Sequence, residues 1–221
     1  MIRVLKYAGV LVLVAFIGIA AYGAKGYRDA LSDADGLRAR ADELIAQGRG
    51  GAALGAPYLA IVLAVEDPNF AGHGGLDFST AGAGATTITQ SASKRLAFEK
   101  FRPGIGKIRQ TGYALGLERE LSKDQILALW LDTLEMGSGP DGWMVGFFTA
   151  SDKVFGRMPA QLNEAEFIRL VAVLIAPASY DLRNGDPELE ERAGRIKRLV
   201  SGQCASQGHG DVWLEGCASR S

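Results

Sequence analysis

The sequence predicts a mainly α fold behind one N-terminal membrane-spanning helix, on three observations. An 18-residue stretch near the N-terminus carries no charge, helix-start signals recur along the remainder, and no strand-length run alternates apolar with polar residues. The 221 residues, 48% hydrophobic and 22% charged, suffice for one sizeable core. Lys and Arg number 24 against 25 Asp and Glu, so no broad basic surface is implied and no nucleic-acid partner is expected. Seven prolines and two cysteines exclude collagen-like and disulfide-dense scaffolds.

The uncharged run is Tyr7 to Ala24, between Lys6 and Lys25. At helical rise it spans about 27 Å, close to the roughly 30 Å of a hydrocarbon core, and the flanking lysines can reach the head groups. The reading is a single-pass anchor over 7–24 in the cytoplasmic (inner) membrane. Residues 1–6 would be cytoplasmic and the bulk of the chain periplasmic or extracellular. The alternative, a leader cleaved near Ala21-Tyr22-Gly23, puts that bulk on the same side. Residues 25–56 read as a stalk helix and hinge, since Leu31, Leu37, Ala41, Leu44 and Ile45 keep helical spacing until GRGGAALGA breaks it.

Pro57 opens the apolar run PYLAIVLAVE, which ends at Glu66. Apolar neighbours and a helix C-terminus both disfavour a charged carboxyl there, which suits a base with a raised pKa. Thr87 with Gln90 and Ser122 with Gln125 form S/T-x-x-Q capping boxes, and Asn163 with Glu166 a looser one. Helices are predicted over 87–98, 108–120, 123–134, 143–155, 164–175 and 187–201, giving a main domain over 57–201. The tail, 202–221, is rich in Gly and Ser and holds Cys204 and Cys217, which an oxidising compartment would pair. A metal site from Cys204, His209 and Cys217 matches no familiar ligand spacing.

Glu66-Asp67-Pro68-Asn69-Phe70-Ala71-Gly72-His73-Gly74-Gly75-Leu76-Asp77 fits E-D-x-x-F-x-x-H-x-G-x-D at every fixed position and resembles the first motif of glycosyltransferase family 51. Gly84 to Lys94 is similar to G-x-S-T-I-T-Q-Q-x-x-K, with Thr86 for Ser and Ser91 for the second Gln. Gly106 to Glu118 is similar to R-K-x-x-E-x-x-x-A-x-x-L-E, with Gly106 for the arginine and Gln110 for the glutamate. Ile126 to Asp132, Gly146, Ala150, Phe155-Gly156, Leu162, Glu166, Leu170, Pro177 and Tyr180 keep the spacing of later motifs. Segment 78–83 is shorter than in relatives, and 138–145 is longer.

The resemblance implies a lysozyme-like, two-lobed helical domain of the monofunctional type. Its members polymerise lipid II into glycan by inverting transfer from a polyprenyl-pyrophosphate-linked glycan. Glu66 would be the catalytic base, with Gln110 at the position of the second catalytic carboxylate. Thr87, Gln90, Lys94, Lys107 and Arg109 would bind the substrate, Asp67 and His73 ordering the loop around the base. Gln90 and Lys94, four residues apart on a helix, would present an amide and a cation together to the pyrophosphate. Mg²⁺ is an optional cofactor, not one that the sequence requires. The partners implied are lipid II, the membrane and other cell-wall synthesis proteins. Two alternatives are an impaired homologue that binds lipid II or cell-wall synthases without turnover, and a lysozyme-like enzyme that cleaves peptidoglycan.

Overall fold

A computed structural model describes residues 2–218, apart from the side chains of residues 2–6 and 8. Met1, at the tip of the expected cytoplasmic segment, and residues 219–221, at the end of the tail, lie outside the described residues. The mainly helical expectation holds. The helices are α1 (Ile2–Ala46), α2 (Ala56–Glu66), α3 (Ile88–Leu96), α4 (Gly106–Glu120), α5 (Lys123–Thr133), α6 (Phe147–Phe155), α7 (Glu164–Ala172) and α8 (Pro187–Val200).

Helix α1 runs 45 residues without a break. Its apolar 18-residue window has a mean hydropathy of 1.8, and only 6% of it is buried by protein. Leu11, Val12 and Phe16 stand exposed to what would otherwise be water. An exposed apolar helix of this length is long and apolar enough to cross a membrane and fits a membrane anchor. The segment read as a stalk continues the same helix. Lys25 marks the end of the apolar surface, not of the hydrogen-bonded backbone.

Past that point α1 becomes part of the domain, with Ala30, Ala34, Ala41 and Leu44 buried. Small residues let it touch α4 almost backbone to backbone. A Cβ at Gly112 would overlap the Gly23 carbonyl, and one at Gly116 would press on Ala30. Polar contacts fix the register: Arg109 Nη2 lies 2.8 Å from the Asp29 carboxylate, and the Tyr113 hydroxyl donates to Asp33 at 2.7 Å. Burial and Asp33 together push the Tyr113 hydroxyl above its ordinary range.

The core gathers around α5, whose residues Ile126 to Leu131 are all buried. A helix apolar all round belongs at the centre of a fold. Phe147, Phe167 and Leu170 pack there from α6 and α7. All three capping boxes form as expected, at Thr87, Ser122 and Asn163. The predicted helix 143–155 needs correction, because its first residues belong to an antiparallel hairpin, β1 (Glu135–Gly139) and β2 (Gly142–Val145). Gly146 has φ of 94°, outside helical space, so α6 cannot start before Phe147. The hairpin occupies the longer 138–145 segment and hides Met136 and Met144 while Trp143 stays half-exposed.

Candidate active site

Glu66 is the last residue of α2. The helix stops there because Asp67 turns its backbone to φ −163° and carries its side chain inward, where it is fully buried. Asp67 Oδ2 accepts the Ile88 backbone N–H at 2.9 Å, at the N-terminus of α3. Both Asp67 oxygens also lie 2.9 Å from His73 Nε2, while the Gly75 N–H donates to His73 Nδ1 at 3.0 Å. That network assigns the His73 proton to Nε2. Thr87 Oγ1 donates to the Gly75 carbonyl at 2.7 Å. Lys123 Nζ then donates to the His73 carbonyl at 2.7 Å and meets Glu118 at 2.8 Å, lying 4.4 Å from the Phe70 ring centre. Thr89 donates to the same Glu118 oxygen. The loop after Glu66 is therefore tied to α3, α4 and α5, and the polar atoms of Asp67 and His73 are engaged in those ties.

Glu66 opens onto a cavity of about 410 Å³ whose walls include Gly84, Thr86, Ser91, Trp130 and Val212. Burial pushes its carboxyl up to about 7, against the pull of Arg192 and Arg95, with Asp67 adding to the rise. Burial also pushes Arg95 down to about 10, opposed by Glu66 and Glu135, and pushes Arg192 down. Arg192 is only 4% exposed, and its Nε and Nη1 have no hydrogen-bond partner; nor have Arg95 Nη2 and Trp130 Nε1. Two of these side chains, Arg95 and Arg192, act on the Glu66 carboxyl as positive charges, and buried donors without partners carry a desolvation cost that an oxygen acceptor would relieve.

Arg95 and Arg192 were missed by sequence reasoning, although a signal was present. On α8 the buried face is Leu189, Arg192, Ala193 and Ile196, and on α3 Ile88, Ala92 and Arg95 share one stripe. A charge at a core position of an amphipathic helix asks for a nearby opposite charge.

The other expected residues are dispersed. Gln90 uses its Oε1 to cap the Thr87 N–H, and its Nε2 reaches Thr111 at 3.4 Å, so its amide is not presented beside Lys94. Lys94 is exposed, 5.6 Å from the Phe101 ring centre, on a surface shared with Arg95, Glu99 and Glu135. Lys107 is exposed at the edge of the groove between α1 and α4. Arg109 is committed to Asp29 and to the Phe98 ring, 4.8 Å away. Gln110 is 3% exposed, and its Nε2 donates to the Gln90 carbonyl at 2.6 Å. Cys204 and Cys217 form a disulfide. No group of three or more His, Cys, Asp or Glu side chains suited to a metal occurs among the described residues. Glu118 is paired with Lys123, Asp67 is engaged by the His73 Nε2–H and the Ile88 N–H, and Gln110 is neutral. These residues do not fit a protein-held Mg²⁺.

Fold and site together define a helical domain behind one candidate membrane span, built around a buried carboxyl. The model of the family described as Transglycosylase matches residues 53–201, and the chain belongs to that family. It is 31% identical to penicillin-binding protein 2D of Bacillus subtilis (strain 168) over 64% of this chain and 22% of that protein. It is 30% identical to a biosynthetic peptidoglycan transglycosylase of Herminiimonas arsenicoxydans, over 63% of this chain and 64% of the relative. The relative of that name from Marinomonas sp. (strain MWYL1) is 32% identical, over 63% and 65%. The chain thus spans less than two thirds of the length of each of these curated relatives.

Proposed function

We propose that the protein is a peptidoglycan glycosyltransferase that polymerises lipid II on the periplasmic or extracellular face of the cytoplasmic membrane. The observation that carries this reading is Glu66, a carboxyl in a cavity, set near neutrality by burial and flanked by unpartnered cationic donors. A base of that pKa is half-ionised at neutral pH and still strong enough to accept a proton.

Glu66 takes the proton from the 4-hydroxyl of the incoming disaccharide as that oxygen bonds to the anomeric carbon of the growing chain. The bond from that carbon to the pyrophosphate breaks with inversion, and its electron pair leaves on the polyprenyl pyrophosphate. Pyrophosphate departs without protonation, so nearby cations can do the work of a general acid. Lys94 and Lys107 are exposed and free to meet phosphate, whereas Arg109 is engaged within the fold.

The test is an assay with purified lipid II on the detergent-solubilised chain beside Glu66→Gln. Conversion of lipid II into long glycan by the wild type supports the proposal. Saturable lipid II binding without turnover would make the protein a binder, and fragments released from finished peptidoglycan would make it a hydrolase. Lys94→Ala is expected to raise KM and lower kcat/KM by about tenfold, since one charge-assisted phosphate contact is lost from both ground and transition states. Unchanged affinity for lipid II and for a pyrophosphate analogue would reduce Lys94 to a surface charge.

A further inference from the structure

The segment beyond α8 lies outside the family match, which ends at residue 201, yet it is firmly packed. The Cys204–Cys217 bond closes it into a loop, and Leu214 and Cys217 are buried. Arg198 Nε donates to the Cys217 carbonyl at 2.7 Å, and Arg195 Nη1 meets Glu215 at 2.6 Å, fixing the loop to α8. Its opposite edge pairs with the shortened segment after Asp77. The Gly82 N–H donates to the Gly208 carbonyl at 3.0 Å, and the Gly84 N–H to the His209 carbonyl at 2.8 Å. Gly84 has φ of +65°, and a Cβ there would collide with Val212 Cγ1, so the tail fits against a backbone that only glycine supplies easily. Val212 reaches the 410 Å³ cavity of Glu66 and also a recess of about 90 Å³ shared by Glu66 and Arg192.

We propose that the disulfide-closed tail is a wall of the catalytic cleft, with Val212 a positioning residue that keeps water away from Glu66. This rests on the reading of Glu66 as the base. The shortened segment lends these cavities only Gly82 and Ala83, and the next two residues, Gly84 and Ala85, are as small, so beyond Thr86 the bulk on that side comes from Val212 of the tail. The charged groups acting on Glu66 are Arg95 from α3, Arg192 from α8 and the adjacent Asp67. From the tail, Asp211 acts on Arg192, as does Tyr180. The turn after α7 and α5 present Leu174, Ile175 and Trp130, which do not titrate. Val212→Ser therefore alters hydration of the cleft without altering its charges.

The experiment is a ¹³C-carboxyl NMR titration of Glu66 in the detergent-solubilised full chain, the resonance assigned by its loss in Glu66→Gln. It is run on wild type, Val212→Ser and the double variant Cys204→Ser with Cys217→Ser, with pH profiles of kcat/KM alongside. Both variants are expected to lower the Glu66 midpoint by about one pH unit as water enters, and the acid limb of the rate profile should move with it. A midpoint equal to that of wild type in both variants, even where Tm or rate falls, would leave the tail a brace outside the cleft and overturn the proposal. A wild type that makes no glycan sinks the functional reading, while the midpoint still decides the role of the tail.

Discussion

Glu66→Gln is expected to lower glycan formation by about 10²- to 10⁴-fold, the usual consequence of losing a general base, and to make the protein more stable above pH 7. Burial raises the Glu66 carboxyl from an ordinary 4.5 to about 7. Below 4.5 the folded and unfolded chains both hold the proton, and the group has no effect on stability. Between 4.5 and 7 the unfolded chain ionises while the folded one stays protonated, so stability falls as pH rises. Above 7 the loss is complete, about 3 kcal/mol. Glutamine keeps the shape and never ionises, so the variant escapes this penalty. Thermal unfolding of wild type and variant at pH 4 and pH 8 checks it: the Tm values should converge at the lower pH and diverge, in favour of the variant, at the higher. The wild-type kcat/KM should fall about tenfold per unit below pH 7. Equal rates for the two proteins, or a Tm gap independent of pH, would separate Glu66 from the chemistry assigned to it.

Gln110→Glu is expected to destabilise the protein by about 2–4 kcal/mol and to raise no activity. The Gln110 amide donates to the Gln90 carbonyl from a buried position, and a carboxylate in its place has no proton to give. It would face that carbonyl oxygen and be buried with its charge unpaired, since Arg109, one residue away, is held by Asp29. Denaturant unfolding measures the loss, and initial rates of glycan formation with and without Mg²⁺ measure the activity. A rate above that of wild type would mean that the site wants a carboxylate there and that the native glutamine impairs it.

Features settled by short-range hydrogen bonding were legible in the sequence. The capping boxes at Thr87, Ser122 and Asn163 involve residues three apart, and the end of α2 at Glu66 follows from an apolar run meeting Asp67. The path of α1 was not, because Lys25 closes the apolar run and so marks a boundary in composition where the helix has none. Charge there reports the bilayer surface and says nothing of the backbone, which continues. Trp143 to Val145 have helical spacing with later apolar residues, but the conformation of Gly146 overrides it. Gln90 beside Lys94 looked like a paired donor set; the same amide is what a capping box consumes, and one side chain cannot do both. Most distant from any local signal is Val212, which meets Gly84 across 128 residues through a disulfide-closed loop that no periodicity describes.

Helix α1 belongs at once to the bilayer and to the domain, joined to α4 without a flexible joint between them. A domain on a loose tether samples many heights and tilts above the lipid surface. Here one unbroken helix, packed closely on α4, links the apolar segment to the domain that holds Glu66. Under the proposed function, a lipid-borne substrate would meet the carboxyl at a height that this helix sets. Any pull along a strand leaving the cavity would pass through α4 into α1 and be borne by the lipid around Leu11 and Phe16.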